Sequence, residues 1–232
     1  MKQLTRGANQ TPLNQPKRGP SRPTLEIERE IQATGPKLVA GVDEAGRGAW
    51  AGPVVAAAVV LPVLDKTYGI NDSKQLTPDA REKLFKKIHA LTKNVGVGIA
   101  SVGEVNRLGV AQASFVAMQR AVDSLSIHPE HILVDGYKVN FIQAPSSGVI
   151  DGDAKSLSIA AASIIAKVTR DKLMTEAHKK YPRFGFAIHK GYGTSLHRER
   201  IERHGTCSLH RKNFAPIRQV LARSKVQIGI ND

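Results

Sequence analysis

Ordered structure is first indicated at Lys37-Leu38-Val39-Ala40-Gly41-Val42-Asp43-Glu44-Ala45-Gly46-Arg47-Gly48. The apolar run that opens this stretch is typical of a buried strand, and it ends at an acid. The same pattern returns in His131-Ile132-Leu133-Val134-Asp135, which ends at an acid before Gly136. Two buried strands that end in carboxylates predict a sheet with acids gathered at one edge.

The rest of the chain alternates strand and helix patterns. Further strands are predicted at residues 54–61 and 95–102, and helices at 112–125, 194–204 and 216–223. Thr77-Pro78-Asp79 predicts a helix start, because Thr is a good N-cap and Pro suits the first helical position. A long helix is predicted over residues 154–180, largely buried in its first half and ended by Pro182. This order predicts an α/β layered fold with a small C-terminal helical lobe.

The charge distribution predicts a polyanionic partner. The 232-residue chain has a net charge of +14, and residues 167–232 carry 15 basic and five acidic side chains. Clustered Lys and Arg bind nucleic acid by releasing counterions from phosphates. An anionic membrane surface is the alternative, but we find no basic amphipathic stretch that favours it. The longest apolar stretch, residues 49–64, is interrupted by Gly and Pro, so we expect no membrane span.

Residues 1–36 are predicted to form a disordered, basic, Pro-rich tail. They contain five prolines and no acid before Glu26, so no periodic apolar face is evident. A cleaved targeting peptide is the alternative, but the segment lacks an apolar core. The single cysteine, Cys207, is typical of a reducing compartment, and we expect a cytoplasmic monomer.

Four carboxylates at predicted element ends suit a hard divalent cation. They are Asp43, Glu44, Asp135 and either Asp151 or Asp153. Mg²⁺ and Mn²⁺ prefer oxygen ligands, and two ions roughly 4 Å apart can activate water and stabilise the leaving oxygen of a phosphodiester. Each acid taken alone is equally consistent with a turn or a helix N-cap.

Asp43 and Glu44 pose a geometric difficulty. Consecutive side chains of a strand point to opposite faces, so the two acids share a metal site only if a turn begins there. Gly46 and Gly48 follow at once and favour a sharp turn with close approach to a ligand.

Several segments, in this order, resemble the bacterial type 2 ribonuclease H, ribonuclease HII. They are Gly41 to Gly48, Asn71-Asp72-Ser73-Lys74-Gln75-Leu76, Val134-Asp135-Gly136, Gly152-Asp153, Ser158 to Lys167 and His189-Lys190-Gly191-Tyr192-Gly193-Thr194. The resemblance runs from about Leu38 to Pro216. It implies a ribonuclease H-like fold with a central mixed sheet flanked by helices. The implied activity is endonucleolytic cleavage of RNA in RNA/DNA hybrids and at ribonucleotides embedded in duplex DNA, at the RNA–DNA junction.

The resemblance also implies roles for individual residues. Asp43, Glu44, Asp135 and Asp153 become the catalytic metal ligands for two Mn²⁺ or Mg²⁺ ions, and cleavage leaves 3′-hydroxyl and 5′-phosphate ends. Asp151 is then not a ligand. Gly46, Arg47 and Gly48 are implied to contact the ribonucleotide 2′-hydroxyl, and Tyr192 to pack near the sugar. Lys74 and Lys190 are candidate phosphate contacts, with solvated surface lysines as the alternative. His189, His197, His204 and His210 lack paired zinc-ligand spacing, so we do not expect zinc.

These expectations divide the chain at residues 36 and 190. Residues 37–190 are predicted to be the catalytic domain, and residues 191–232 a helical substrate-binding segment. Other carboxylate nucleases of the same fold, among them type 1 and type 3 ribonucleases H, transposases and resolvases, are rival interpretations. A non-catalytic nucleic-acid-binding module is another, although it gives no reason for four acids. Ribonucleotide excision repair is the expected process.

Overall fold

The computed structural model describes residues 22–141 and 144–228. Its strands are β1 (Val39–Ala45), β2 (Val54–Val60), β3 (Val95–Ala100), β4 (His131–Asp135) and β5 (Ser146–Val149). Its helices are α1 (Glu26–Ala33), α2 (Pro78–Leu91), α3 (Val102–Leu108), α4 (Val110–Asp123), α5 (Leu157–Lys180), α6 (Phe186–His189), α7 (Ser195–His204) and α8 (Ala215–Ile228). Short 3-10 turns span Ser73–Gln75, Gly152–Ala154 and Pro182–Phe184.

The five strands form one mixed sheet in the order β3-β2-β1-β4-β5. β1 pairs antiparallel with β2 and parallel with β4, and β4 pairs parallel with β5. The predicted central mixed sheet is therefore confirmed. Because β1 and β4 are parallel neighbours, their carboxyl ends meet at one edge, as the two acid-ended strands indicated.

Helices cover both faces of the sheet. α4 packs on one face over a cluster that includes Val42, Val54 and Ile132. The first half of α5 packs on the other face with Ile164, Ile165 and other buried residues, joined by side chains of α2. Gly41 makes the close approach of α5 possible, because a Cβ there would lie 2.1 Å from the Ser158 carbonyl carbon.

Local capping sets the helix boundaries. The Thr77 side chain accepts a hydrogen bond from the Ala80 amide at 3.2 Å, which confirms the predicted N-cap of α2. α5 begins at residue 157, later than the predicted 154, since Gly152–Ala154 forms a 3-10 turn first. The Ser156 side chain then caps α5 by accepting from the Ile159 amide at 3.2 Å.

The prediction of a disordered tail through residue 36 is wrong for residues 26–33, which form α1. Glu28 of this helix is 4% exposed. It accepts hydrogen bonds from the Ser156 and Ser158 hydroxyls, both at 2.6 Å, and from the Ser158 amide at 2.9 Å. These bonds tie α1 to the amino end of α5. Residues 1–21 of the predicted tail lie outside the described residues.

The helices predicted in the C-terminal third are present as α7 and α8, although α8 extends beyond the predicted 216–223. The chain before α8 is joined to the rest of the fold. His210 forms an isolated bridge with Ala51, and Phe214 packs against the core cluster on the α4 face. Among the helices that the structure describes, none is long and apolar enough to cross a membrane.

Candidate metal and nucleic-acid site

Three acids from different elements meet at the carboxyl edge of the sheet. Asp43 lies near the end of β1, Asp135 ends β4, and Asp153 lies in the 3-10 turn before α5. Each offers a carboxylate oxygen within 4.8 Å of the other two. Val42 and Val134 are the last registered pair of the two strands, so the acids that follow them stand side by side.

The backbone distinguishes Asp153 from Asp151, which the residues alone did not. Asp151 has a left-handed φ of 52° and an exposed side chain. Asp153 is 5% exposed and belongs to the three-acid group. The turn thus directs one acid to solvent and the other to the site, in the arrangement that the resemblance implied.

Glu44 occupies a different position from the other three acids. The expectation of a turn between Asp43 and Glu44 is wrong, because β1 stays paired with β2 through Ala45. Glu44 therefore follows Asp43 in the pleat and is absent from the three-acid group. It does line the cavity that Asp43 and Asp135 also line. Its carboxylate accepts a hydrogen bond from Arg47 at 3.2 Å. The turn begins at Gly46, whose φ is +98°.

The acids raise one another's proton affinity. Burial, followed by the charges of Glu44 and Asp135, holds the pKa of Asp43 well above its ordinary value. Burial and then Asp153 raise the pKa of Asp135, whereas burial raises that of Glu44 against the opposing charge of Arg47. The free energy of the site is therefore lowered by positive charge placed among these oxygens.

Lys74 supplies one such charge. Its ammonium lies 2.8 Å from the Asp153 carboxylate, and its side chain is 74% exposed. Burial acts to lower the pKa of Lys74, but the hydrogen bond and charge of Asp153 outweigh it and raise that pKa. The Lys74 amide also donates to Asp72 at 2.9 Å, which fixes the 3-10 turn that carries the lysine.

Asp43, Glu44 and Asp135 line a cavity of about 260 Å³, and Asp153 lies beside it within the three-acid group. Its lining also includes Gly46, Arg47, Lys74, Lys167 and Tyr192. The half-buried Tyr192 ring has the Lys167 ammonium 5.5 Å and the Arg170 guanidinium carbon 5.1 Å from its centre. The predicted glycine-rich segment and tyrosine thus reach the same cavity as the acids, with Gly48 exposed at the outer part of the turn.

Lys190 does not line the cavity that holds the acids. Its ammonium donates to the Thr175 hydroxyl at 3.1 Å and to the Ala187 carbonyl. It lines a larger neighbouring cavity of about 780 Å³ beside α2 and α5, which shares Lys167 and Tyr192 with the acid cavity.

Two buried arginines that the sequence interpretation missed hold the backbone around this site. Arg170 donates to the carbonyls of Ala51, Pro53 and Lys190 at 2.9–3.0 Å. Arg211 donates to those of Arg47, Gly52 and Pro53 at 2.9–3.1 Å. Both are 0% exposed, and Arg is seldom buried without partners. The available signal for Arg170 was weak, because it lies in the predicted helix over residues 154–180 but beyond the first half, which was predicted to be buried.

A mixed sheet flanked by helices, with buried acids at the carboxyl edge of its two central parallel strands, defines a carboxylate nuclease of the ribonuclease H-like fold. The family model described as ribonuclease HII matches residues 40–217. The chain belongs to the ribonuclease HII family, and it is a ribonuclease H, a hydrolase acting on RNA–DNA hybrids. Enzymes of this kind use divalent metals, for which the three-acid group is the candidate site.

Individual relatives agree with this assignment. Ribonuclease HII of Geobacillus kaustophilus is 50% identical over 201 residues, which cover 87% of this chain and 77% of the relative. That of Syntrophotalea carbinolica is 48% identical over 197 residues, covering 85% of this chain and 94% of the relative. The crystal structure of ribonuclease H2 from Pyrococcus horikoshii superposes with a TM-score of 0.70 at 31% identity, covering 81% of this chain and 99% of that one.

Proposed function

We propose that this chain is an endonuclease that cleaves the RNA strand of RNA/DNA hybrids and cuts at ribonucleotides embedded in duplex DNA. The observation that carries the proposal is one shared cavity. Asp43 and Asp135, whose carboxylate oxygens lie within 4.8 Å of each other and of one from Asp153, line the same cavity as Gly46, Arg47 and Tyr192. Groups suited to phosphodiester hydrolysis therefore lie beside groups suited to inspecting a sugar.

The acids fit divalent metal. All donors are hard oxygens, and the raised pKa of Asp43 reflects burial and repulsion that a cation would relieve. We propose that Asp43, Glu44, Asp135 and Asp153 together hold two Mn²⁺ or Mg²⁺ ions. Glu44 is included although no turn separates it from Asp43, because it lines the same cavity as Asp43 and Asp135. Asp43, whose charge interacts with both Glu44 and Asp135, is the candidate bridging ligand. When bound, such ions supply a polarised water and neutralise charge that develops on the phosphate.

The proposed reaction is hydrolysis of one phosphodiester. A water oxygen bonds to phosphorus, the bond from phosphorus to O3′ breaks, and its electron pair goes to O3′, which ends protonated. The products carry a 3′-hydroxyl and a 5′-phosphate. The four acids orient the reacting groups, while Lys74, with its exposed side chain beside Asp153, offers positive charge to a nearby phosphate.

Substrate choice is assigned to the rim of the cavity. The 2′-hydroxyl is the group that distinguishes RNA from DNA, and Gly46, Arg47 and Gly48 form the turn beside the acids. Tyr192 offers a ring face that can test the sugar without reading sequence. Residues 191–232 are proposed as a substrate-binding segment, supported by the basic excess after residue 166. A phosphate contact by Lys190 has less support, because its ammonium is bonded within the neighbouring cavity.

The test is metal-dependent cleavage of a duplex that contains one ribonucleotide. Asp43→Asn is expected to lose cutting in Mn²⁺ and Mg²⁺ while still binding the duplex. Asp151→Asn is the matched control, because this acid is exposed and its left-handed φ of 52° suits Asn. Unchanged cutting by Asp43→Asn would exclude the metal site. Cutting of long hybrids alone would instead exclude the action on embedded ribonucleotides.

We further propose a monomeric, cytoplasmic enzyme of ribonucleotide excision repair. The support for the compartment is compositional, since the single Cys207 fits a reducing environment. Gel filtration with light scattering checks the monomer, and fractionation of cells that express the chain checks the location.

A further inference from the structure

Three histidines pack together behind the loop that carries Tyr192. The rings of His189 and His197 are stacked with centres 4.2 Å apart, and those of His197 and His210 lie 5.3 Å apart. Their exposures are 7%, 0% and 1%. Phe186 lies against all three rings. Nitrogens buried so deeply need hydrogen-bond partners, and the nuclease chemistry proposed above does not use them.

The hydrogen bonds assign a proton to each ring. His210 Nδ1 accepts from the Cys207 amide at 2.8 Å, so its proton lies on Nε2. That Nε2 is 3.2 Å from His197 Nε2, which accepts because His197 Nδ1 donates to the Tyr192 carbonyl at 2.9 Å. His210 Nδ1 also lies 3.3 Å from the Cys207 carbonyl. If His210 Nδ1 donated to that carbonyl, the Nε2 lone pairs of His210 and His197 would face each other. We therefore assign the shorter contact, in which His210 Nδ1 accepts from the Cys207 amide.

His189 is fixed in the same way. Its Nδ1 accepts from the Gly191 amide at 3.1 Å, and its Nε2 donates to the Phe184 carbonyl at 2.7 Å. Both nitrogens of all three rings are therefore engaged. This pattern requires neutral imidazoles, since a second proton on any ring would place a donor against a donor.

We propose that His197, supported by His210, is a positioning residue that holds the backbone of Tyr192 so that its ring faces the acid cavity. The inference rests on the proposed role of Tyr192 in substrate choice. The Tyr192 carbonyl accepts from the Thr194 amide as well as from His197, both at 2.9 Å. The histidine alone ties this carbonyl to the buried cluster and so links the loop to α7.

Neutral rings suit this role. Burial, followed by the neighbouring histidines and opposed by the bond to Tyr192, lowers the pKa of His197 to about 4. Burial likewise lowers the pKa of His210 to about 4. The chain of hydrogen bonds is thus intact at neutral pH, where both rings carry one proton.

Two substitutions separate the hydrogen bond from the bulk of the ring. His197→Asn retains an N–H donor close to the position of Nδ1, whereas His197→Leu fills similar space without a donor. On a single-ribonucleotide duplex, we expect His197→Leu to lower kcat/KM about tenfold and His197→Asn to recover most of that loss. His128→Leu, at an exposed position, is the control for substitution of a histidine.

The decisive measurement repeats His197→Leu in a Tyr192→Ala background. A positioning role predicts little further loss there, within about twofold, because the ring to be positioned is gone. An equal loss in both backgrounds would overturn the inference and leave only a structural role. The circular dichroism spectrum and melting temperature of each variant show that it is folded. If His197→Leu is not folded, His197→Gln takes its place, because its amide nitrogen corresponds to Nε2 and leaves no donor at the position of Nδ1.

Nitrogen-15 NMR of the histidine side chains tests the geometry without any assay of cleavage. We expect the proton on Nδ1 of His197 and on Nε2 of His210, and the opposite tautomer of His197 would overturn the inference. If Tyr192→Ala cleaves normally, the Tyr192 part of the proposed function fails, and the positioning role fails with it. If Tyr192→Ala is impaired but His197→Leu adds its full loss, the positioning role alone fails.

Discussion

A Cβ on Gly46 would lie 2.0 Å from Arg170 Nε, so the glycine and the buried guanidinium are in direct contact. Arg170 cannot retreat easily, because its Nε, Nη1 and Nη2 each donate to a backbone carbonyl. The turn beside the acids is therefore built directly on a residue of α5.

Gly46→Ala is expected to lower both stability and cleavage. It combines a steric clash with a φ of +98°, which L side chains rarely adopt. We expect a loss of about 1–3 kcal/mol in the free energy of unfolding, with kcat/KM lowered by tenfold or more because the turn carries groups assigned to the substrate. Urea denaturation and cleavage of a single-ribonucleotide duplex measure the two effects.

Two glycines provide controls for this substitution. A Cβ on Gly48 would meet nothing within 4 Å, so Gly48→Ala should leave the free energy of unfolding nearly unchanged. Gly103 in α3 has only the Ser101 hydroxyl, at 3.8 Å, near its Cβ position, so Gly103→Ala should spare both stability and cleavage. Equal stability of Gly46→Ala and Gly48→Ala would contradict the clash with Arg170.

The sheet was predictable because its central strands are continuous apolar runs whose length and boundaries have few other interpretations. α1 was not, since its buried position is occupied by Glu28, which the polar pattern assigned to a solvated tail. β5 was missed because Ser146–Val149 is short and largely polar. The partners of Glu28 lie 128 and 130 residues further along the chain, where a local pattern does not reach, whereas β5 pairs with the strand just before it and was missed for its composition alone.

The same limit applies to the site. The residue types predicted the acids, and the strand ends predicted that Asp43 and Asp135 would meet. The choice between Asp151 and Asp153 depends on a left-handed residue before a 3-10 turn, which no periodicity reveals. Arg170 and Arg211 bind carbonyls more than 100 residues away or on another segment, so their roles emerge only from the folded chain.

Glu28→Ala should destabilise the fold by about 2–4 kcal/mol, because three donors at the start of α5 lose their buried acceptor. Glu30→Ala is the matched control, since it removes the same side chain from an exposed position of α1. The comparison by urea denaturation isolates burial from helix propensity. If the two variants have the same free energy of unfolding, the hydrogen bonds of Glu28 do not stabilise the fold.

Asp43→Asn should stabilise the fold in the absence of divalent metal and should be less stable than the native chain in its presence. In chelator at neutral pH, it removes a buried charge whose pKa burial and neighbouring acids have raised, so the variant should be more stable than the native chain by about 1 kcal/mol. In saturating Mn²⁺ the free energy of unfolding of the native chain should rise by more than this difference, by about 2.7 kcal/mol at a Mn²⁺ concentration one hundred times the dissociation constant. Thermal melts with chelator and with Mn²⁺ show which protein has the higher melting temperature in each buffer. Asp151→Asn should melt at the same temperature as the native chain in both.

The buried histidines predict a loss of stability in mild acid. The pKa of His197 and that of His210 are lowered to about 4 in the fold by burial, against an ordinary value of 6.5. Between these values the unfolded chain binds protons that the fold excludes, so the contribution is complete above pH 6.5 and falls as the pH decreases toward 4. The raised pKa values of Asp43, Glu44 and Asp135 act in the opposite direction. The comparison must therefore be with a variant that keeps these acids.

The variant His197→Asn/His210→Gln retains the two N–H donors and removes the two rings whose pKa is lowered to about 4. His189, whose pKa burial also lowers, stays in both proteins. We expect it to be less stable than the native chain near neutral pH, because the smaller side chains pack less well. Its free energy of unfolding should fall less than that of the native chain from pH 6.5 to about 4, by an amount on the order of a few kcal/mol. Urea denaturation across this range measures the difference. Parallel curves for the two proteins would mean that the rings take up protons within the fold, and the neutral hydrogen-bonded cluster would then be excluded.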